Sequence, residues 1–336
     1  MSSGLGLGKG VKWNKNHRPR KWGFHCFLPY PLMEPKVGIV TINYKNTQDT
    51  LETLDSLRGL DYENFEVFVV DNEYTPETKK KLEKARKDFG FELLLSEKNL
   101  GFGGGNNFGA KKALEKNCEF VLFLNNDTAA EPDFLAKLVG LMKKDKEIGI
   151  CGPRINYFSD QNLVWFNGGK ADWLKIKWTH RDINAKEQTL RWDTEPRETD
   201  YIAGTAMLVR AKVFFEIGFW SDDYFMYCED PDFCLRAARR GYKIVFAPSA
   251  KIYHKISPTT KPGSETYIYY HTRNGLILAW KYNGWLKRGI VVVYSFLRLF
   301  KQLPKFLSQE KRKWALGVLK GTRDFYLRRK GKTRNF

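Results

Sequence analysis

The chain has 336 residues, of which 57 are Lys or Arg and 38 are Asp or Glu, so its formal net charge is +19. With 42% hydrophobic and 28% charged residues, the composition excludes intrinsic disorder, collagen and a disulfide scaffold. The longest apolar stretch, Ile290 to Leu297, is too short to span a bilayer, which takes about 20 residues.

The positive charge is concentrated at the two ends of the chain. Residues 1–36 carry a net charge of +6 and residues 281–336 carry +14, whereas residues 37–280 carry −1. A domain that binds nucleic acid usually carries its positive charge on the folded body, so we do not expect nucleic acid as a partner. Basic ends favour an anionic membrane surface. The basic N-terminus lacks an apolar signal stretch and the five cysteines form no Cys-x-x-Cys pair, so we expect a cytoplasmic protein, peripheral on the cytoplasmic face of the membrane.

From Val37 onward, strands and helices alternate. Helices are predicted over 47–60, from Pro76 to near Gly90, and over roughly 105–116 after a glycine-rich turn. This alternation predicts an α/β fold with a single Rossmann-like, mostly parallel sheet and helices on both faces. The strands are predicted from four mostly apolar runs, Val37–Ile42, Phe65–Val70, Phe91–Leu95 and Phe120–Leu124.

The second half of the chain is less regular. Residues 156–200 show no clear period, and a strand is predicted at Tyr201–Val209. A helix should follow Asp230, then a short strand at Lys243–Ala247 and a helix over 264–282. Residues 284–330 mix basic and apolar residues as amphipathic helices do. We therefore predict a basic irregular arm over 1–34, an α/β domain over 35–280 with halves 35–130 and 131–280, and a basic helical segment over 281–336.

Polar residues follow the predicted strands at the sheet edge where open parallel sheets bind ligands. Asn43 follows the first strand, Asp71 the second, a glycine-rich string over 99–107 the third, and Asn125-Asn126-Asp127 the fourth. The glycine string does not complete a G-x-G-x-x-G fingerprint, because Asn106 stands at the third glycine position. It is either a turn that caps a helix or a backbone that passes close to a ligand.

Two further features carry possible chemistry. Asp230 lies in the acidic cluster 229–232, directly after an aromatic run, where an apolar setting would raise the pKa of a carboxyl and suit it to base catalysis. The alternative is helix capping, since Asp230 precedes Pro231. Asp127 is either a turn residue or a ligand for a divalent cation. His254 ends an apolar segment and is either a structural residue or a metal ligand.

Together, these motifs resemble the family-2 glycosyltransferases of GT-A fold, especially the rhamnosyl- and galactofuranosyltransferase-like members. The resemblance runs from about Val37 to Ala279. Its strings are IVTINYKN, VVDN, NLGFGGGNNFGA, LFLNNDT, AGTAMLVRAKVFFEIGFW, DYFMYCEDPDFCLRAARRGYKI and IYH. It implies that residues 35–130 are the nucleotide-sugar half and 131–280 the acceptor half. It also implies an inverting transfer of a sugar, rhamnose or galactofuranose-like, from a nucleoside diphosphate to a glycan or lipid-linked glycan.

The resemblance also implies residue roles. Asp230 matches the catalytic base, with Glu229 beside it, and Asp127 with His254 matches the site of Mg²⁺ or Mn²⁺. The sequence departs from the family pattern at two places. Asn125 replaces the first aspartate of the usual Asp-x-Asp. After Asp71-Asn72 the family often has Ser and Asp, whereas this chain has Glu73-Tyr74-Thr75. The donor-binding set that we expect is Thr41, Asn43, Asp71, Asn99, Gly101, Gly104, Asn107, Asn125, Asn126 and Arg273.

The acceptor is expected near the tryptophans between 165 and 220, whose rings offer flat apolar faces. Trp165, Trp220 and Asp232 are the acceptor residues that we predict, although the tryptophans could equally anchor the irregular segment. Two other classes remain open. One is a nucleotidyltransferase, for which no activating basic loop is found near the first strand. The other is a basic membrane- or nucleic-acid-binding protein on an inactive glycosyltransferase-like fold. The sequence sets neither the nucleotide nor the oligomeric state.

Overall fold

The computed structural model describes residues 34–173, 176–190, 193–255 and 263–333. Residues 35–336 group into one compact unit, and the predicted arm over 1–34 lies, apart from Glu34, outside the described residues. The strands are β1 Val37–Asn43, β2 Phe65–Asn72, β3 Glu92–Ser96, β4 Phe120–Leu124, β5 Thr128–Ala130, β6 Ile148–Tyr157, β7 Val164–Phe166, β8 Gly169–Asp172, β9 Lys177–His180, β10 Arg197–Glu198, β11 Ala206–Arg210 and β12 Lys243–His254. The helices are α1 Thr47–Leu57, α2 Pro76–Phe89, α3 Gly101–Glu115, α4 Phe134–Lys144, α5 Ala211–Ile217, α6 Glu229–Arg239, α7 Glu265–Tyr282, α8 Trp285–Phe300 and α9 Gln309–Tyr326.

Ten of these strands form one central mixed sheet in the order β10-β12-β6-β11-β4-β1-β2-β3, with β5 paired to β12 and β7 to β6, and β8 and β9 form a separate two-stranded sheet. The pairs β1–β2, β1–β4, β2–β3 and β6–β12 are parallel. The strand β11 runs antiparallel between β4 and β6, which apolar runs alone do not reveal. The sheet interior is formed by the buried aliphatic residues of β1, β2, β4 and β6. The predicted α/β class with a mostly parallel sheet is therefore confirmed.

Helix ends follow local sequence signals in one case and not in another. Helix α2 begins at Pro76 after a capping box at Thr75 and ends at Gly90, whose φ of 69° is left-handed, as predicted. In contrast, the predicted glycine-rich turn before residue 105 is wrong, because α3 begins at Gly101. The predicted strand Tyr201–Val209 is shorter, since β11 covers only Ala206–Arg210.

The glycines of α3 allow this helix to lie close against the sheet. A Cβ on Gly109 would be 2.3 Å from Cγ1 of the buried Val40 on β1, and one on Gly105 would be 2.9 Å from Cδ1 of Ile42. A helix rich in glycine is intrinsically weak, at about 1 kcal/mol per glycine relative to alanine. Close packing on β1 and β2 compensates for that weakness, so propensity alone misplaced the start of the helix.

We expect Gly109→Ala to destabilise the protein by about 1–3 kcal/mol, because the new methyl group overlaps Val40 in a full core. Gly140→Ala on α4 is the matched control, since a Cβ there has no neighbour within 4 Å. The control should be neutral or stabilising by about 0.4–1 kcal/mol. Chemical denaturation of both variants measures the difference, and equal midpoints would contradict the close-packing account.

The C-terminal part of the chain is helical, and α7, α8 and α9 pack against one another. Glycines mark the contact between α7 and α9, because a Cβ on Gly317 would be 2.8 Å from the Glu265 carbonyl oxygen. Within the described ranges, no helix is long and apolar enough to cross a membrane.

Candidate active site

A polar network crosses the carboxyl ends of β2, β1 and β4. Asn43 Nδ2 donates to Asp71 Oδ1 at 2.7 Å, and Asn43 Oδ1 accepts from Thr50 at 2.8 Å. Thr50 in turn accepts from Asn126 Nδ2 at 2.9 Å, and Asp71 Oδ2 accepts from Thr78 at 2.6 Å. The structure thus brings three of the predicted donor residues, Asn43, Asp71 and Asn126, into one network at the expected edge of the sheet.

The N-terminus of α3 is fastened to the protein itself. The amide of Gly101 donates to Asn99 Oδ1 at 2.8 Å, and the amide of Phe102 donates to the carbonyl of Phe225 at 2.9 Å. Gly101 has a φ of 77°, and a Cβ there would be 2.3 Å from that same carbonyl, so only glycine fits. Gly104 faces Leu100, since a Cβ would be 3.0 Å from Leu100 Cβ. The glycine string therefore serves helix packing and joins α3 to the segment before α6.

Asp127 and His254 meet where the start of β5 pairs with the end of β12. His254 Nε2 lies 3.0 Å from Asp127 Oδ1, and both side chains are buried. The ring of Trp165 packs edge-on against His254 with ring centroids 4.8 Å apart. Trp165 therefore lies behind this pair and also contacts His180.

The Asp127–His254 pair offers one carboxylate oxygen and one imidazole nitrogen, donors that Mn²⁺ accepts in proteins. Two polar atoms at this site are buried and have no hydrogen-bond partner in the described part of the chain. They are Nδ1 of His254 itself and Oδ1 of Asn125, which stands two residues before Asp127. No cluster of three or more His, Cys, Asp or Glu side chains suited to a metal occurs there either. The pair fits as part of a cation shell whose remaining ligands would come from a nucleotide or from water.

Asp230 lies in the first turn of α6, and its pKa is raised. Its Oδ2 accepts a hydrogen bond from the amide of Gly204 at 3.1 Å. Desolvation raises the pKa of Asp230 to about 6, even though this hydrogen bond acts in the opposite direction. Burial and the neighbouring charge of Asp230 raise the pKa of Glu229 well above its usual range. The two carboxyl groups thus lie side by side in the first turn of α6, and the side chain of Glu229 faces Gly103 of α3.

Gly204 and Thr205, which precede β11, link the two groups of carboxylates. Gly204 donates to Asp230, and the carbonyl of Thr205 accepts from the amide of Asn125 at 2.9 Å. Asp127 is two residues beyond Asn125, and Asp230 lies in the first turn of α6. One short segment therefore supports both Asp127 and Asp230. Sequence reasoning missed both residues because they act through backbone groups, although they lie in the quoted string AGTAMLVR.

The turn before α6 is strained, and α7 holds it. Tyr227 and Cys228 both have left-handed φ angles, 65° and 74°, which non-glycine residues rarely adopt. Asn274 Nδ2 donates to the carbonyls of Met226 and Tyr227 at 2.8 and 2.9 Å. Asn274 Oδ1 accepts from Arg273 Nε at 2.9 Å. This asparagine, which sequence reasoning also missed, stands directly after Arg273 in the sequence.

Several of the residues predicted to contact substrates belong to the interior. The guanidinium of Arg273 is fully buried and donates to Tyr269 and to the Gly331 carbonyl, so the structure gives it no access to a donor. Trp220 packs among Phe102, Phe123 and Phe233. The Asn107 side chain bonds the Trp220 backbone at 2.9 and 3.0 Å. Asp232 is fully buried and accepts from Tyr224, Arg236, Lys281 and Tyr282.

The burial of these side chains has a physical reason in each case. The charge of Asp232 is balanced by Arg236 and Lys281, as a buried carboxylate requires. Trp220 lines the wall behind Gly204, where a Cβ would be 2.9 Å from its ring. These residues therefore support the site from behind. Thr41, also predicted as a donor residue, is fully buried on β1.

The fold is an α/β sheet with polar groups at its carboxyl edge, which is where open sheets of this kind bind ligands. Residues 37–218 match the family model of glycosyl transferase family 2. Because this match covers more than half of the chain, the chain belongs to that family. The expected family is thereby confirmed.

Curated relatives include the N-acetylglucosaminyl-diphospho-decaprenol L-rhamnosyltransferase of Mycobacterium tuberculosis, 24% identical over 202 residues, with 56% of this chain and 66% of the relative covered. The low-salt glycan biosynthesis hexosyltransferase Agl10 of Haloferax volcanii is 26% identical, with 62% and 63% covered. The dTDP-rhamnosyl transferase RfbF of Shigella flexneri is 25% identical over 308 residues, with 87% and 97% covered. This chain thus spans less than two thirds of the first two relatives and nearly all of the third.

Solved structures show the same fold. GalNAc-T7 with UDP, GalNAc and Mn²⁺ has a TM-score of 0.58 at 18% identity, with 83% of this chain and 58% of that chain covered. The mannosyltransferase PcManGT from Pyrobaculum calidifontis, in complex with GDP-Man and Mn²⁺, has a TM-score of 0.53 at 14% identity, with 88% of both chains covered. These likenesses confirm the predicted GT-A fold.

Proposed function

We propose that this chain is an inverting, metal-assisted glycosyltransferase. It moves a rhamnosyl or similar sugar from a nucleoside diphosphate to a hydroxyl group of a glycan or lipid-linked glycan. The observation that carries the proposal is the support shared by two groups: Gly204 binds Asp230 through its amide, and Thr205 binds the segment that contains Asp127 through its carbonyl. Sugar transfer needs a base at the acceptor hydroxyl and a carboxylate that binds the metal at the diphosphate, and in this arrangement one segment would hold both.

Asp230 acts as the general base. The acceptor O–H gives its proton to the Asp230 carboxylate while the acceptor oxygen forms a bond to the anomeric carbon of the sugar. The bond from that carbon to the diphosphate oxygen breaks, and the nucleoside diphosphate leaves with the electron pair. With one base on the face opposite the leaving group, the configuration at the anomeric carbon is inverted. A pKa raised to about 6 suits this carboxylate to accept a proton near neutral pH.

Asp127 and His254 would hold Mg²⁺ or Mn²⁺, which neutralises the charge of the departing diphosphate. Asn43 and Asp71 are buried at the same edge of the sheet, where a nucleotide would lie, and Asn126 is joined to their network through Thr50. Asn99, Gly101 and Gly104 act indirectly, by fixing the start of α3. Trp165 stays a predicted acceptor residue, and its ring packs behind His254.

The choice of donor and acceptor rests on the relatives. The relative with the longest alignment reported above is named a dTDP-rhamnosyl transferase, which favours dTDP-rhamnose as donor. The mycobacterial relative is named for a diphospho-decaprenol glycan, which favours a lipid-linked acceptor in cell-envelope or polysaccharide synthesis. The proposal keeps galactofuranosyl transfer as its second sugar, because a galactofuranosyltransferase of Mycobacterium tuberculosis is 26% identical over 195 residues.

Calorimetric binding of dTDP, UDP and GDP, each with and without Mn²⁺, tests the donor site. We expect dTDP to bind in the presence of Mn²⁺ and to bind far more weakly after chelation. Asp127→Ala should weaken Mn²⁺-dependent binding by about 100-fold, because loss of even an outer-shell partner of a metal costs about 10–100-fold in affinity.

The matched control is Asp133→Ala, which removes a half-exposed carboxylate that pairs with Lys137 on α4. It should bind the nucleotide like the parent protein. If the folded protein bound none of the three nucleotides, the alternative hypothesis would replace this proposal. That hypothesis is a basic membrane- or nucleic-acid-binding protein on an inactive glycosyltransferase-like fold. Unchanged binding by Asp127→Ala would remove that residue from the metal site.

A further inference from the structure

Helix α8 presents an apolar face to the outside of the molecule. Of its sixteen residues, only Val291 and Ser295 are buried. Ser295 Oγ lies 2.7 Å from the hydroxyl of Tyr326 on α9, so these positions mark the inner face. A surface helix of a globular protein normally directs its apolar side inward. Helix α8 instead directs most of its apolar side chains outward.

The exposed apolar residues form one continuous stripe. They follow each other at intervals of four and three residues, which places them on the same side of a helix with 3.6 residues per turn. Leu286, Val293 and Leu297 are 68%, 59% and 56% exposed. We call this stripe the α8 outer face, and its members are Leu286, Ile290, Val293, Leu297 and Phe300. Trp285, Phe296 and Leu303 are also exposed and extend it.

Cationic residues border this stripe. Between Tyr282 and Gln309 the sequence contains no Asp or Glu and five basic residues. Lys287, Arg298 and Lys301 fall on one flank of the helix, within about 60° of one another at about 100° per residue. A stripe of large apolar side chains with a cationic flank is the composition of helices that lie in a membrane interface. The absence of acidic residues opposes the alternative of a cationic protein partner.

We propose that the α8 outer face docks onto an anionic lipid bilayer, with the helix lying in the plane of the surface. The apolar stripe would enter the boundary between headgroups and acyl chains. Lys287 and Lys301 would contact lipid phosphates. A helix of sixteen residues with three basic side chains does not span a bilayer, so binding is peripheral.

This docking would orient the candidate active site. At the end of α7, Lys281 and Tyr282 donate to Asp232 at 3.0 and 2.8 Å, and Asp232 stands two residues after Asp230. Helix α8 follows α7 after two residues and packs against it. The docking itself does not depend on catalysis, but its use, which is to present the site to a lipid-linked acceptor, rests on the proposed function.

Sedimentation of the full chain with vesicles tests the proposal. We expect binding to vesicles of phosphatidylcholine mixed with phosphatidylglycerol, weak binding to phosphatidylcholine alone, and weaker binding as salt is raised. The double variant Val293→Glu/Leu297→Glu should lose at least about tenfold in affinity for the mixed vesicles. Lys287→Gln/Lys301→Gln should lose the preference for the anionic lipid but keep part of the binding.

The matched control is Phe215→Glu, since Phe215 on α5 is 78% exposed and apolar but lies outside the α8 outer face. It should bind vesicles like the parent protein. Unchanged binding by the α8 double variant would overturn the proposal and assign the binding to the basic N-terminal arm. Dimerisation without vesicle binding, abolished by the same variant, would overturn it in favour of a second copy of this chain. Nucleotide binding without vesicles separates these outcomes from failure of the proposed function.

Discussion

Replacing Asp230 by asparagine is expected to lower the rate of sugar transfer by about 100- to 10,000-fold, the usual contribution of a positioned base. Asparagine keeps the size of the side chain, and its Oδ1 can still accept the hydrogen bond from the Gly204 amide. The variant should therefore fold. What it loses is the ability to take the proton of the acceptor hydroxyl. The measurement is the turnover of dTDP-sugar with a saturating acceptor.

The same residue sets the expected pH dependence. Burial raises the pKa of Asp230 to about 6, and the base works only as a carboxylate. Below pH 6 the carboxyl is increasingly protonated, so kcat/KM should fall about tenfold per pH unit, and above it the rate should level off. In the Asp230→Asn variant the residual rate should lose this acidic limb. A limb that persists in the variant would assign the titration to another group.

Stability should change in the opposite direction to activity. A carboxyl whose pKa is raised in the folded state binds its proton more tightly there than in the unfolded chain. Its contribution to the free energy of unfolding is therefore lost as pH rises through about 6. At pH 8 the folded parent protein must hold the desolvated negative charge of Asp230, and the neutral asparagine avoids this destabilisation. The variant should therefore melt at the same or a higher temperature than the parent.

Asp222→Asn is the control for both measurements, because Asp222 is an exposed carboxylate eight residues earlier in the chain. It should change neither the rate nor the acidic limb. Full turnover by Asp230→Asn would contradict the assignment of the base. A marked loss of stability in that variant would show that the carboxylate serves the fold.

The first four strands could be predicted because each contains an apolar run, which is largely buried in β1, β2 and β4 and partly buried in the edge strand β3. The same edge of the sheet then collects Asn43, Asp71 and Asn126. The antiparallel position of β11 could not be predicted, because a buried apolar run looks the same in either direction. The start of α3 was misplaced because its stability comes from contacts with Val40 and Phe225, which are distant in sequence.

In the candidate site, some residues could be predicted from their residue type, whereas others act through their position in the fold and could not. Asp127, His254 and Asp230 were predicted from residue type and order. Arg273 and Trp220 were predicted as ligand contacts for the same reason, but they are buried supports, because charge and aromaticity serve packing as readily as binding. Gly204 donates to Asp230 through its backbone amide, and such a hydrogen bond cannot be inferred from the residue type.

Replacing Asn274 is expected to damage both stability and catalysis, because this side chain holds the strained turn that leads to Asp230. Asn274→Asp keeps the shape but removes both N–H donors and places a carboxylate against the carbonyls of Met226 and Tyr227. Each buried acceptor left without a partner costs about 1–3 kcal/mol. We expect a total loss of about 2–5 kcal/mol in the free energy of unfolding.

The catalytic effect is the sharper test, because Asn274 is a positioning residue and does not reach the reacting atoms. Left-handed φ angles at Tyr227 and Cys228 cost about 1–3 kcal/mol each and persist only when neighbours impose them. Without Asn274 the turn should relax and shift Asp230 relative to Gly204. In Asn274→Ala, kcat should fall by about 10- to 100-fold, since misplacement by about 1 Å has effects of that order.

The binding of the nucleotide separates this role from general damage to the fold. Asp127 lies on the segment after β4 and His254 on β12, whereas the side chain of Asn274 bonds the turn before α6. Mn²⁺-dependent dTDP binding should therefore stay within about twofold of the parent value. Asn283→Ala is the control, because Asn283 caps the same helix through its backbone amide. A parallel loss of kcat and nucleotide affinity would indicate unfolding. An Asn274→Ala variant that keeps its kcat and its acidic limb near pH 6 would show that the turn holds its shape without this residue, and that the position of Asp230 is fixed by α6 and Gly204 alone.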